Sequence, residues 1–270
     1  MHDLIDPELT AEPRGGIQFS GVSKWFRRKG QVIHALSRID LDIEPGSFVS
    51  LIGPSGCGKS TLLRLAGGLL DADRGSVVVE GETPAEALAR KHYAFVPQQP
   101  ALMPWRTVRR NVALLGETNR SAKMRGVSAD ARLELIEQMG LTPFLESYPR
   151  ELSGGMQQRV SIARAFALGA PLMLMDEPFS ALDEITRADM RYQLLELWER
   201  VGCTVLFVTH SIPEAVILSD RVVVLGARPG RITDIIDVGL ARPRSEVMED
   251  LDEFHAGVAE VRQALKQGSA

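Results

Sequence analysis

The chain has 270 residues, of which 44% are hydrophobic and 24% are charged, an ordinary composition for a globular protein. The formal net charge is -4, and acidic and basic residues are mixed along the chain. This argues against nucleic acid as a partner, because phosphate neutralisation needs clustered Lys and Arg. Two cysteines are too few for a disulfide framework and fit a reducing compartment.

The predicted elements change character along the chain. Residues 1 to 16 are polar and contain Pro and Gly, so we expect a flexible tail, and they lack the apolar region of a signal peptide. Residues 17 to about 81 favour strands, with one helix after Lys59, and residues 84 to 150 favour helices. Helix and strand then alternate to about Gly226, and residues 241 to 270 predict a Pro-bearing turn followed by a helix from about Asp252.

Short apolar runs mark the buried strands of the predicted core. They are Phe48–Ile52, Leu172–Met175, Val205–Val208 and Val222–Leu225. Their alternation with helices predicts an α/β core with a mainly parallel sheet, into which a helical subdomain is inserted at about residues 97 to 168. No apolar run approaches the ~18 residues that span a bilayer, so we expect any link to a membrane to go through a partner.

The strongest local signal is a match to the phosphate-binding consensus G-x-x-x-x-G-K-[ST]. It runs Gly53-Pro54-Ser55-Gly56-Cys57-Gly58-Lys59-Ser60, between a predicted strand and a predicted helix, as the motif requires. The backbone N–H groups of such a loop and the helix N-terminus bind phosphate oxygens. Lys59 would add charge at the β- and γ-phosphates, and the Ser60 hydroxyl would ligate Mg²⁺.

Two later strands end in residues suited to hydrolysis. The run to Met175 is followed by Asp176 and Glu177, and the run to Val208 is followed by Thr209 and His210. Parallel strands present their carboxyl ends at one ligand crevice. Asp176 could hold Mg²⁺ through water and Glu177 could polarise the attacking water, while His210 could contact the γ-phosphate and the water-orienting acid.

Further motifs carry a family resemblance. Leu152-Ser153-Gly154-Gly155-Met156-Gln157-Gln158-Arg159 resembles the signature motif of ABC ATPases, and the motif order from about Ile17 to Leu240 also matches that family. The resemblance implies a P-loop NTPase core with an N-terminal antiparallel β part, in an ATPase domain over residues 17 to 240. It also assigns Phe26 to adenine, with Trp25 as a weaker candidate, Gln98 to the metal or γ-phosphate, and Ser180–Asp183 to the D-loop.

The resemblance implies a head-to-tail homodimer that uses ATP and Mg²⁺. ATP would lie on residues 53 to 61 of one subunit, and Ser153, Gly154 and Gly155 of the other subunit would close on it. Their place at a helix start gives this role a physical basis, because Ser153 can cap the helix and the glycines expose backbone N–H groups.

Finer resemblance points to importers of the nitrate, sulfonate and taurine type. The segments that carry it are Pro100–Val108, Met175–Asp183 and Ala227–Ile232. This implies two permease subunits, an indirect link to a solute-binding protein, and a place at the cytoplasmic face of the inner or plasma membrane. The permease would contact the chain near Trp105, unless that side chain packs inside its own subdomain.

Alternatives from other classes are an ATPase of a lipid or efflux system, and an ABC ATPase that works on DNA or ribosomes. The single cassette without heptads or a basic patch argues against the second. Pro97 and Ser211 depart from the family pattern beside Gln98 and His210, which bears on loop geometry and not on the reaction. The sequence leaves the C-terminal helix open as a regulatory contact, a dimer contact or plain packing.

Overall fold

A computed structural model gives the fold and describes residues 16–28, 30–118 and 127–268. The tail expected over residues 1 to 16 lies outside these ranges, apart from Gly16. Within the described residues, no helix combines the length and the apolar character needed to cross a membrane.

Most strands and helices follow the predicted order, but a strand at Tyr93–Val96 lies where residues 84 to 150 favoured helices, and a strand at Ile232–Asp237 was not expected. The strands are β1 (Ile17–Arg28), β2 (Gln31–Ile43), β3 (Phe48–Ile52), β4 (Arg74–Val79), β5 (Tyr93–Val96), β6 (Leu172–Asp176), β7 (Thr204–Val208), β8 (Arg221–Leu225) and β9 (Ile232–Asp237). The helices are α1 (Lys59–Ala66), α2 (Pro84–Arg90), α3 (Val108–Thr118), α4 (Ala129–Gln138), α5 (Gly154–Phe166), α6 (Glu184–Val201), α7 (Ile212–Leu218) and α8 (Asp252–Gly268). Short 3₁₀ turns lie at Thr142–Phe144, Pro149–Glu151 and Glu246–Asp250.

Two sheets form the core in the described part of the chain. The larger has the order β5-β6-β7-β3-β8-β9 and is parallel except for β9, which runs antiparallel to β8. The smaller is antiparallel, with the order β2-β1-β4. The expected α/β class, with a mainly parallel sheet and an N-terminal antiparallel part, is confirmed.

The register of the larger sheet brings the candidate site together. β6 pairs with β7 so that Asp176 lies opposite Val208, and Val208 also pairs with Leu51 of β3. β3, β6 and β7 are buried along their whole length, which explains their continuous apolar sequences. The phosphate loop and the residues after β6 and β7 therefore share one edge of the sheet.

The segment between β5 and β6 carries α3, α4 and α5 in the region where helices were expected. Helix α5 packs against α3, α4 and β5. Buried side chains of these helices, including Val112, Ile136 and Val160, belong to the same apolar cluster as Met175 of β6. The helical segment is thus anchored to the sheet that carries the candidate site.

Candidate functional site

The phosphate loop joins β3 to α1 through backbone conformations that only glycine tolerates well. Gly58 caps α1 with φ 106°, and a Cβ at this position would lie 2.5 Å from Leu36 Cδ2. The Leu62 N–H donates to the Gly58 carbonyl at 2.9 Å, so the helix begins directly at the loop. The sequence consensus at this position therefore reflects both backbone geometry and close packing.

Lys59 and Cys57 lie inside the loop rather than in solvent. The Lys59 Nζ donates to the Gly53 carbonyl at 2.8 Å and to the Pro54 carbonyl at 3.3 Å, and the residue is 6% exposed. Burial raises the pKa of the Cys57 thiol, although Lys59 opposes the shift. A thiol with a raised pKa is a poor nucleophile, so Cys57 serves here as a small buried residue of the loop.

Ser60 and Asp176 meet across 116 residues of sequence. The Ser60 Oγ donates to Asp176 Oδ1 at 2.7 Å, and Asp176 is 6% exposed at the end of β6. Arg64 Nη2 lies 3.9 Å from the other carboxylate oxygen of Asp176. Ser60 and Asp176, two of the residues predicted to hold Mg²⁺, are therefore in direct contact.

Glu177 turns away from Asp176 because of its backbone. It adopts φ 46°, a left-handed conformation that is uncommon for a residue other than glycine. Its N–H donates to the Val208 carbonyl at 3.0 Å, and its own carbonyl accepts from Ser180 Oγ at 3.0 Å. Such strain persists where surrounding contacts fix it, and it is commonly found at functional sites.

The Glu177 carboxylate is the meeting point of two other candidate residues. Its Oε2 lies 3.3 Å from His210 Nδ1 and 3.5 Å from Gln98 Nε2. Gln98 also donates to Ser180 Oγ at 3.3 Å. The structure thus gathers Glu177, His210 and Gln98 from three different parts of the chain.

Both aromatic candidates for the adenine contact lie on β1. Phe26 is 38% exposed, and Lys24 Nζ lies 5.5 Å from the centre of its ring. Trp25 lines a cavity of about 340 Å³ with His34 and Arg74 among its other walls. Both rings are available to a ligand, so the sequence-based preference for Phe26 stays a prediction.

The signature segment forms the start of α5, as the capping pattern predicts. Ser153 is the N-cap residue, and its Oγ accepts from the Met156 N–H at 3.2 Å. A Cβ at Gly154 would meet nothing within 4 Å, whereas one at Gly155 would lie 3.3 Å from Leu182 Cδ2. The helix start at Gly154 is therefore open to an approaching group.

Sequence reasoning missed a buried group behind His210. Thr209 Oγ1 donates to Glu214 Oε2 at 2.6 Å, and Arg187 Nε lies 3.8 Å from Glu214 Oε1. Arg187 also donates to the Leu182 carbonyl at 2.8 Å, within the segment that resembles the D-loop. The sequence contains one signal for this acid, because Glu214 stands three residues after the Ser211 cap, in the first turn of α7.

The fold and this edge of the sheet define the class of the protein. A glycine loop between a strand and a helix, with Lys59 in the loop and Ser60 bonded to a strand-end aspartate, is the arrangement of P-loop nucleoside triphosphatases.

Comparison with known proteins narrows that class. A family model described as ABC transporter matches residues 36–180. An uncharacterized ABC transporter ATP-binding protein of Methanocaldococcus jannaschii is 41% identical over 249 residues, which cover 91% of this chain and 90% of that protein. The aliphatic sulfonates import ATP-binding protein of Bacillus cereus is 41% identical over 242 residues, which cover 90% of this chain and 94% of that protein.

Solved structures agree with the sequence relatives. A dimeric ATP-binding cassette in a post-hydrolysis state, bound to ADP and Pi, is 32% identical and superposes with a TM-score of 0.70 over 83% of this chain and 100% of that chain. The dimeric structure of a bacterial ABC transporter cassette is 33% identical, with a TM-score of 0.71 and the same coverage. The chain belongs to the ABC transporter family, as an ATP-binding subunit that hydrolyses ATP.

Proposed function

We propose that this ATPase powers the import of a small sulfonate-like solute through a partner permease. The proposal of ATP hydrolysis by these residues rests on the cluster at the edge of the larger sheet. There Ser60 contacts Asp176, and Glu177 contacts His210 and Gln98. These contacts join residues from distant parts of the sequence in the arrangement that phosphoryl transfer to water needs.

The donor set fits Mg²⁺. The Ser60 hydroxyl and the Asp176 carboxylate are hard oxygen donors held 2.7 Å apart, and Mg²⁺ is commonly bound by one or two protein oxygens together with substrate phosphates. We assign Ser60, Asp176 through water, and Gln98 to this ion. When bound, Mg²⁺ would neutralise charge on the β- and γ-phosphate oxygens.

The position of each side chain supports the remaining roles that we propose. The backbone N–H groups of Gly53 to Thr61 and the Lys59 ammonium hold the phosphates, and Phe26 contacts adenine. Glu177 polarises the attacking water, and His210, 3.3 Å from its carboxylate, orients that acid and contacts the γ-phosphate. Gln98 contacts Glu177 and links the site to the helical segment that follows it.

A second copy of the chain completes the site in this proposal. The open helix start at Gly154 is suited to a phosphate, because backbone N–H groups and the helix dipole favour an anion there. Two solved relatives are dimers. Ser153, Gly154 and Gly155 of one subunit would close on the nucleotide of the other, so a homodimer would carry two sites.

The permease contact is proposed at the turn before α3. Trp105 is 70% exposed, so the alternative that it packs inside its own subdomain is wrong. Beside it, Arg106 donates to Glu117 at 2.6 Å, which fixes the base of the turn. An exposed tryptophan on a fixed turn is a common interface anchor. This contact would hold residues 17 to 240 at the cytoplasmic face of the membrane, with residues 241 to 270 as an appended segment.

The hydrolytic assignment is tested by Glu177→Gln in the purified chain. The amide cannot accept a proton, so we expect ATP to bind while turnover falls by about 10²-fold or more. Glu196→Gln is the matched control, because Glu196 is 66% exposed on α6 and pairs only with nearby Arg200 in the contacts described. Near-normal turnover in Glu177→Gln would refute the role of Glu177.

The solute class is tested in the organism that encodes the chain. Lys59→Ala in the chromosomal copy should abolish growth on an alkanesulfonate as the sole sulfur source and leave growth on sulfate unchanged. This expectation is supported by the import protein for aliphatic sulfonates among the relatives. Loss of growth only on nitrate, or only on taurine, would indicate that this compound is the solute instead. Normal growth on all of these compounds would contradict import of this type.

A further inference from the structure

The turn between β8 and β9, residues 226 to 231, packs directly against the phosphate loop. A Cβ at Gly230 would lie 1.9 Å from the Cys57 carbonyl oxygen, so the backbone of the turn contacts the loop directly. Any larger residue at Gly230 would push the turn away from the loop.

The same turn is attached at two further points. Gly230 N–H donates to the Ala35 carbonyl at 2.9 Å, and the Gly230 carbonyl accepts from Ser37 N–H at 2.8 Å, which fastens the turn to β2. On the other side, Ala227 N–H donates to the carbonyl of Gly268 at the end of α8, at 3.3 Å. Attachments to the phosphate loop, β2 and α8 leave the turn little freedom to move.

The turn places Arg228 beside the phosphate loop. A Cβ at Gly56 would lie 3.3 Å from Arg228 Nη2, and the three atoms nearest to that position all belong to the Arg228 guanidinium. Arg228 is exposed, and within the described residues no ion pair or hydrogen bond holds its guanidinium. A free cation on a fixed support beside a phosphate-binding loop is placed to receive an anion.

We propose that Arg228 is a further nucleotide-binding residue, whose guanidinium donates to the phosphate groups of ATP and ADP held by Gly53 to Thr61. The inference rests on the proposed function of that loop. Guanidinium groups bind phosphate oxygens by charge-assisted hydrogen bonds, and a support that is already ordered lowers the entropic cost of the contact.

The test measures binding of ATP, ADP and adenosine to the full chain by calorimetry at low and high salt. Arg228→Gln should weaken ATP and ADP binding by about five- to tenfold at low salt, and Arg228→Lys by less. Adenosine binding should not change, because adenosine has no phosphate. The difference between wild type and Arg228→Gln should shrink at high salt, which screens an exposed charge.

Arg231→Gln is the matched control, because Arg231 is an exposed cation of the same turn that is not among the atoms nearest to Gly56. The inference would be overturned if Arg228→Gln bound ATP as tightly as Arg231→Gln does. It would also be overturned if Arg228→Gln lost adenosine binding by the same factor as ATP binding. Either result would leave the proposed function intact. A wild-type chain that binds neither ATP nor ADP would overturn the proposed function, and this inference with it.

Discussion

At the scale of single residues, Glu214 is a buried acid next to the end of the strand that carries His210. It is 4% exposed on α7, and burial raises the pKa of its carboxyl despite the hydrogen bond from Thr209 and the charge of Arg187. Arg191 and His210 also act on it electrostatically. Since Thr209 precedes His210 and Arg187 binds the Leu182 carbonyl, this carboxyl supports both the His210 strand end and the segment after Glu177.

Glu214→Gln should change how stability depends on pH. Because the folded chain raises the pKa of Glu214, it binds the proton more tightly than the unfolded chain, and this stabilisation is present below the usual carboxyl pKa of 4.5 and is lost as pH rises through the folded value. The wild type should therefore lose free energy of unfolding relative to Glu214→Gln as the pH rises above 4.5 and through the raised pKa of the folded state, measured by urea denaturation. Contributions from titratable groups that both chains share largely cancel in this comparison.

Glu214→Ala provides the contrast. It leaves the Thr209 hydroxyl without its acceptor and removes the carboxylate that faces Arg187 Nε, so it should cost about 2 kcal/mol at neutral pH. The exposed control Glu196→Gln should show the pH dependence of the wild type. A Glu214→Gln chain that follows the wild type at every pH would show that Glu214 titrates as an ordinary surface acid.

At the scale of elements, the sequence predicts those whose stability is local. The strands that begin at residues 48, 172, 204 and 221 were expected to within one residue, because a strand buried on both faces is a mostly apolar run. The cap at Ser153 was likewise expected, because it depends on the Ser153 side chain and its own helix. Helix α1 begins at Lys59, where a helix was expected, and ends at Ala66, where Gly67 caps it.

Contacts between elements could not be predicted in the same way. The link from Thr209 through Glu214 to Arg187, and the approach of Arg228 to Gly56, depend on how strands and turns align across the sheet.

The C-terminal helix shows the same limit of prediction from sequence. Its sequence left three roles open, and the structure packs Phe254, Val261 and Ala264 of α8 into the core, with contacts to α7, β8 and β9. Packing therefore accounts for its apolar face.

At the scale of the whole molecule, the two segments proposed to bind phosphate belong to different parts of the fold. The phosphate loop follows β3, whereas Gly155 at the start of α5 faces Leu182 and Thr186. Asp176 and Glu177 belong with the loop of their own chain, because Ser60 contacts Asp176 directly. A dimer that pairs each loop with the helix start of its partner would therefore contain sites made from two chains.

Mixing two inactive variants tests this composite site. Lys59→Ala disables the loop, and Gly154→Asp puts a negative charge at the helix start, where the structure has room for a side chain. A heterodimer of the two has one intact site, so with random pairing an equal mixture should recover about a quarter of wild-type ATPase activity per chain, although each variant alone is inactive. Lys59→Ala mixed with Glu177→Gln is the control, because both changes fall in the half-site that contains the loop and no site is restored. Equal activity in the two mixtures would mean that loop and helix start do not combine across a dimer.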